Sequence, residues 1–248
     1  MKTKDSFNKI FSNKNNILVV MAHPDDTEIY AGATIARLVQ EGKIVRVVKM
    51  TLGNRGCRQE KITEKDLGKI RQEEDEEAMA VLGIKPKHNI YLGINDGEVE
   101  NNLETIGKLV RQIRLFKPDI IISHNPEEMI IKFDAVNHWV NHRDHLNTAK
   151  VAINAAYPYS RDLLFFPSQF KEKGVSSHTV TEFLLGDYYN HPETVYIEVI
   201  EKQAEIKSRA QATHRSQYTL EHAKSSTDFF TKHPSGKRFE RFRYVKAD

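Results

Sequence analysis

The apolar run from Asn16 to Ala22, NILVVMA, constrains this chain more than any other feature. An unbroken run of this length reads as a strand buried on both faces. Such a strand needs helices above and below it, and the sequence supplies them. Ile29, Ala33, Ala36 and Leu38 begin a helical pattern that Gly42 closes. Ile44 to Met50 reads as a second strand, and Thr63 to Leu82 as a long charged helix ended by Gly83. Asn89 to Leu92 is a short strand before the turn Asn95-Asp96-Gly97. Leu103 to Phe116 is an amphipathic helix terminated by Pro118, and Ile120 to Ser123 is another buried strand. This alternation predicts an α/β fold, a Rossmann-like and mostly parallel sheet flanked by helices.

Beyond His124 the pattern changes. Residues 125–141 read as a long loop, followed by a helix from about His142 to Ala156 and an irregular stretch over 158–178. Thr181 to Tyr189 and Thr194 to Val199 read as two strands separated by Asn190-His191-Pro192, and Glu201 to His214 as a helix. Their position suggests a small antiparallel addition or sheet edge, so a small C-terminal strand/helix addition is expected. Residues 1–15 read as polar, either frayed or a short lead-in. No internal repeat or low-complexity linker divides the chain, so a single domain over 1–248 is expected. The basic, aromatic tail from Ser225 is expected to pack or to mediate self-assembly, which leaves a homo-oligomer open.

A formal charge of +3 leaves no electrostatic footprint for nucleic acid. No apolar run reaches membrane-spanning length, and no apolar segment follows Lys2 and Lys4 to make a signal peptide. The single Cys57 excludes an intrachain disulfide and a Cys-rich zinc site. Its neighbours Arg55 and Arg58 could activate the thiol, but it is read as uninvolved. These features predict a cytoplasmic protein.

His23-Pro24-Asp25-Asp26 follows the first strand directly. Two readings compete. The carboxylates could begin the next helix, where a cap and the helix dipole favour negative charge. Alternatively, His23 and one Asp are metal ligands and the other Asp a base. A second cluster, His142-Arg143-Asp144-His145, bears on the choice. His142 and His145 share one face of a helix, and Asp144 could orient one imidazole. Both clusters lie where open α/β sheets bind ligands. A nucleotide-binding module is disfavoured, because no G-x-G-x-x-G follows the first strand.

The run AHPDDTEIYAGATIA resembles the first signature of the PIG-L / LmbE-like zinc deacetylases, and HRDH resembles their second. RQEEDEEAMAVLG at 71–83, NDG at 95–97, HRSQ at 214–217 and FERFRY at 239–244 are similar to further family signatures. Residues 163–185 resemble the bacterial and archaeal sugar-deacetylase branch. The chain departs from the family at Asn54, where many members carry Glu, and at Glu198, where relatives often have Asp.

The resemblance implies one Zn²⁺ per chain, held by His23, Asp26 and His145. Asp25 would be the general base. His142 would stand beside the reacting carbonyl, held by Asp144, and Arg71 and Asp96 would contact sugar hydroxyls. Two His and one carboxylate leave a position for water, as catalytic zinc requires; Fe²⁺ also suits such a donor set. The implied reaction removes the acetyl group from an N-acetylglucosamine-type sugar or small glycoconjugate. The alternative is an amidase acting on a larger acyl or thiol conjugate. His124, His178, His191 and His214 are read as polar lining or structure.

Overall fold

The computed structural model describes residues 3–57, 61–189 and 191–247, so Arg58 and Asn190 lie outside the described residues. The strands are β1 (Asn16–Met21), β2 (Ile44–Thr51), β3 (Asn89–Ile94), β4 (Ile120–Ser123), β5 (Ile130–Lys132), β6 (His138–Val140), β7 (Glu182–Leu185), β8 (Thr194–Val199) and β9 (Arg238–Lys246). The α-helices are α1 (Phe7–Phe11), α2 (Asp26–Gln40), α3 (Glu64–Leu82), α4 (Leu103–Phe116), α5 (Arg143–Asn154), α6 (Glu201–Gln211) and α7 (Leu220–Thr231).

The main sheet runs in the order β3-β2-β1-β4-β7-β9-β8. Its pairings from β3 to β7 are all parallel, and β9 is antiparallel to both β7 and β8. Alternation along β1 feeds two cores. Ile17, Val19 and Met21 pack with Ile35, Leu38, Ala78 and Leu82 of α2 and α3. Leu18 and Val20 pack on the other face with Leu109, Val110, Val151 and Ala152 of α4 and α5. Every apolar residue of the run is therefore needed, half for each layer.

The helix boundaries follow local chemistry. Thr63 caps α3 by accepting from the Asp66 N–H, and Gly83 ends it at φ 81°. Asn102 caps α4 through the Thr105 N–H. Among the described residues, no helix is long and apolar enough to cross a membrane.

Two sequence expectations are corrected. The lead-in is not frayed: α1 buries Phe7, Ile10 and Phe11, with the Arg37 guanidinium 3.8 Å from the Phe7 ring centre. The loop 125–141 contains the hairpin β5–β6, whose strands are too short to show a period. The C-terminal strands take the expected place towards a sheet edge, where they extend the main sheet. β7 and β8 do not pair with each other, because β9, from the basic tail, lies between them. Within β9 the buried Glu240 accepts from the backbone of Ala33 and Thr34 and from Lys207, tying the tail to α2 and α6. The irregular stretch after α5 takes its shape from α4: buried Arg114 donates to the carbonyls of Tyr159, Ser160, Asp162, Phe165 and Phe166.

Candidate metal and catalytic site

The chain runs outward from β1 to β3 and then returns to β4 on the other side of β1. Strand order reverses there, and the C-terminal ends of β1 and β4 open a crevice suited to a ligand. The turn after β1 carries His23, Asp25 and Asp26, β4 leads into His124, and α5 begins beside them with His142, Asp144 and His145.

Three donors converge. His23 Nδ1 lies 3.3 Å from His145 Nε2 and 3.3 Å from Asp26 Oδ2, and Asp26 Oδ1 is 3.2 Å from His145 Nε2. Donors about 2.1 Å from a tetrahedral centre stand about 3.4 Å apart; the two ring nitrogens have that spacing, and the Asp26 carboxylate meets each of them through a different oxygen. The charge around it agrees. Asp25, Asp26, Asp96 and Asp144 are all buried, and Arg71 is the buried guanidinium among them. Burial opposes the charged form of His23, but Asp144, Asp26 and Asp96 outweigh it and raise the imidazole pKa well above its ordinary value. Burial likewise opposes ionised Asp26, yet His145 and His124 hold its carboxyl well below the usual range. A surplus of buried anions around three close donors fits a divalent cation held by His23, Asp26 and His145.

Carboxylates behind the ring fix His23. Its Nε2 is 3.1 Å from Asp96 Oδ1 and 3.4 Å from Asp144 Oδ2, which leaves Nδ1 for the ion. Asp144 also accepts from the backbone N–H of Gly97 at 2.7 Å and of Val99 at 3.3 Å. Its carboxylate therefore holds His23 and the NDG turn, not His142 as the sequence implied. His142 is held by the backbone instead: it caps α5, its Nδ1 accepting from the Asp144 N–H at 3.1 Å. That bond assigns the proton of neutral His142 to Nε2. Desolvation, then the neighbouring His23 and His145, lower the His142 pKa, so the ring is a neutral donor.

Asp96 and Arg71 both have internal partners. Asp96 is buried against His23, and Asn54 Oδ1 pins its loop by accepting from the Asp96 N–H at 3.0 Å. Asn54 thus shapes the turn. Arg71 is 4% exposed and faces inward. Its Nη2 donates to Pro24 O at 2.7 Å and to Asp25 Oδ1 at 3.1 Å, and its Nη1 to Gly53 O at 3.1 Å. A Cβ at Gly53 would collide with that guanidinium.

Asp25 occupies the cap position of α2 but caps nothing. Its backbone sits at φ 92°, a conformation that costs a non-glycine residue about 1–3 kcal/mol. Its Oδ1 accepts from Arg71 and its Oδ2 from the Tyr218 hydroxyl at 2.8 Å. Capping therefore does not explain the HPDD turn. Tyr218 escaped the sequence reading, although it directly follows HRSQ.

The remaining histidines divide clearly. His124 stacks on His145 with ring centres 4.1 Å apart, and its Nε2 accepts from the Ala22 N–H at 3.1 Å. Burial pushes its pKa down to about 4, so it backs the site as a neutral ring. His214 pairs with Glu28 at 3.4 Å, beside the Lys49–Asp75 pair at 2.7 Å. Glu28, Asp75 and His214 have metal-like spacing. Burial opposes protonation of His214 but Glu28 outweighs it and raises its pKa, while burial raises the Glu28 carboxyl as well. His178 contacts Pro118 O at 2.7 Å and His191 accepts from the Glu193 N–H at 3.2 Å; both shape loops. Glu198 pairs with Lys237 at 2.7 Å, outside the site.

Residues 18–156 match the family described as PIG-L, GlcNAc-PI de-N-acetylase. The chain is 27% identical over 214 residues to diacetylchitobiose deacetylase of Thermococcus kodakarensis, covering 85% of this chain and 73% of that protein. It is 28% identical over 158 residues to mycothiol S-conjugate amidase of Streptomyces coelicolor, a match spanning 56% of this chain and 50% of that relative. Among solved structures, N,N'-diacetylchitobiose deacetylase of Pyrococcus horikoshii superposes with a TM-score of 0.80 at 24% identity, covering 95% of this chain and 85% of that one.

Proposed function

The chain belongs to the PIG-L family of de-N-acetylases, and from that premise we propose that it removes the acetyl group from an N-acetylglucosamine-type sugar by metal-dependent hydrolysis, with Zn²⁺ as the ion. One observation carries the reading: Asp26 closes a cluster of donors with His23 and His145, and the adjacent Asp25 is a carboxylate that caps no helix. His23, Asp26 and His145 would hold the ion. Bound there, zinc supplies a Lewis acid for the amide oxygen and a water of lowered pKa.

The side chains supply the rest. Arg71 and Tyr218 each take one lone pair of Asp25, and a carboxylate keeps further lone pairs for a proton. Asp25 accepts the proton of the attacking water as oxygen bonds to the acetyl carbon. Exposed His142, with Nδ1 engaged by the helix start, offers Nε2–H to the oxygen that gains charge. The C–N bond then breaks, the proton from Asp25 passes to the departing nitrogen, and amine and acetate separate. Asp96 and Asp144 keep His23 oriented throughout.

The relative matched over 214 residues is named a diacetylchitobiose deacetylase, which makes an N-acetylglucosamine disaccharide the first substrate to test. The likeness to an S-conjugate amidase keeps larger thiol conjugates as the alternative. The single Cys57 suits a reducing compartment and supports a cytoplasmic setting. Acetate release should be measured with zinc-loaded protein on N-acetylglucosamine, its dimer, an inositol glycoside and an acylated thiol conjugate. Release from a sugar supports the reading. Cleavage of the thiol conjugate alone selects the amidase, and no release from any substrate overturns both.

A further inference from the structure

We propose that Tyr218 is a positioning residue for Asp25, and that helix α3 grips Asp25 by two arms, directly through Arg71 and indirectly through Glu74, Ser216 and Tyr218. This rests on the reading of Asp25 as the base. Arg71 reaches Oδ1 of Asp25 at 3.1 Å. One turn further along α3, Glu74 is buried, and its Oε1 accepts from the Ser216 backbone N–H at 2.7 Å and its Oε2 from the Ser216 hydroxyl at 2.7 Å. The Glu74 carbonyl also accepts from the Thr213 hydroxyl at 2.9 Å. These bonds fix the loop after α6, and Gln217 fastens it to Gly56 O at 3.2 Å. Tyr218 leaves this anchored loop and places its hydroxyl 2.8 Å from Oδ2 of Asp25.

The two arms differ in kind. The guanidinium brings charge and also holds the Pro24 carbonyl, so it sets the strained turn as well as the carboxylate. The phenol brings a single directed donor. Burial and the neighbouring Asp25 charge raise the Tyr218 pKa far above its ordinary value, so it remains a donor at every working pH. A carboxylate with one donor on each oxygen cannot rotate without breaking a charge-assisted bond. The lone pair left for the attacking water therefore keeps one direction, which is what a base in a preorganised site requires. The geometry also accounts for two segments at once: 71–74 supplies both arms and 213–218 the distal one.

Tyr218→Phe removes the donor and keeps the ring. The expected result is a kcat lower by about 10- to 100-fold, the scale of a hydrogen bond to a charged group, with KM and metal content little changed. In an Asp25→Asn background the same substitution should cost almost nothing, because the group it positions is already gone. Glu74→Ala should lower kcat in the presence of Tyr218 and add little to Tyr218→Phe. A crystal structure of metal-free Tyr218→Phe should show the Asp25 carboxylate rotated or split. Unchanged turnover in Tyr218→Phe overturns the proposal. So does a loss that repeats in full in the Asp25→Asn background with the carboxylate unmoved. A rotated Asp25 in a protein that deacetylates no sugar would keep the positioning role and sink the functional reading instead.

Discussion

Nδ1 of His23 and Nε2 of His145 face each other at 3.3 Å across 122 positions of sequence. Two ring nitrogens this close, with a carboxylate against both, share either a proton or a cation. The cation explains why Asp26 is the third member of the triangle. His23→Ala, Asp26→Asn and His145→Ala should each bring zinc content well below one per chain, measured by elemental analysis after dialysis. Full occupancy in all three would show that the ion sits elsewhere.

Asp144 contributes from behind. Asp144→Ala leaves the three donors in place but frees His23 and the Gly97 turn. Zinc affinity should fall about 10- to 100-fold. If affinity holds while the turn loses protection from hydrogen exchange, Asp144 serves the loop alone.

Asp25→Asn should retain zinc and lose about 10²–10⁴-fold in kcat, the range for removal of a general base. Near-normal turnover in this variant would refute the assignment of Asp25 even if the metal site is right.

The Arg71 guanidinium is engaged by internal acceptors. A lysine cannot reach Gly53 O, Pro24 O and Asp25 together. Arg71→Lys should therefore lower kcat and destabilise the fold by about 2–4 kcal/mol in urea unfolding. Unchanged stability with a raised KM would support the sugar-hydroxyl role.

Acid should reveal His124. Its folded pKa of about 4 lies below the ordinary value of 6.5, so between those values the unfolded chain takes up a proton that the folded one refuses. Stability of the metal-free protein should then fall by about 2 kcal/mol between pH 7 and pH 5 from this residue. His124→Asn, which keeps an acceptor for the Ala22 N–H, should lose less over the same interval. Parallel loss in both proteins would remove His124 as the cause.

Much of this was legible in the sequence, for a physical reason. Strands buried on both faces and helices with caps announce themselves locally, so β1, β2, β4, α3 and α4 could be read from residues alone. The adjacency of His23 and Asp26 could be read the same way. What partners a side chain finds across the fold could not. Arg71 looks like a solvated charge on a charged helix until Gly53 and Pro24 close over it. Tyr218 is an unremarkable aromatic until Glu74 anchors its loop. The pairing of β9 between β7 and β8 joins segments separated by more than fifty residues on one side, and no local period reports that.

The metal-ligand triangle draws on both layers of the molecule. His23 and Asp26 belong to the turn into α2, which packs on one face of the sheet, whereas His145 rides on α5, which packs on the other. An ion held by all three would act as a rivet through the rim of the sheet, joining helices from its two faces where the Tyr30 and His145 rings already touch. Its removal would be felt as mechanical slack: the first turns of α2 and α5 would gain freedom together, and a chelator would lower the melting temperature by an amount that grows with the affinity it has to overcome.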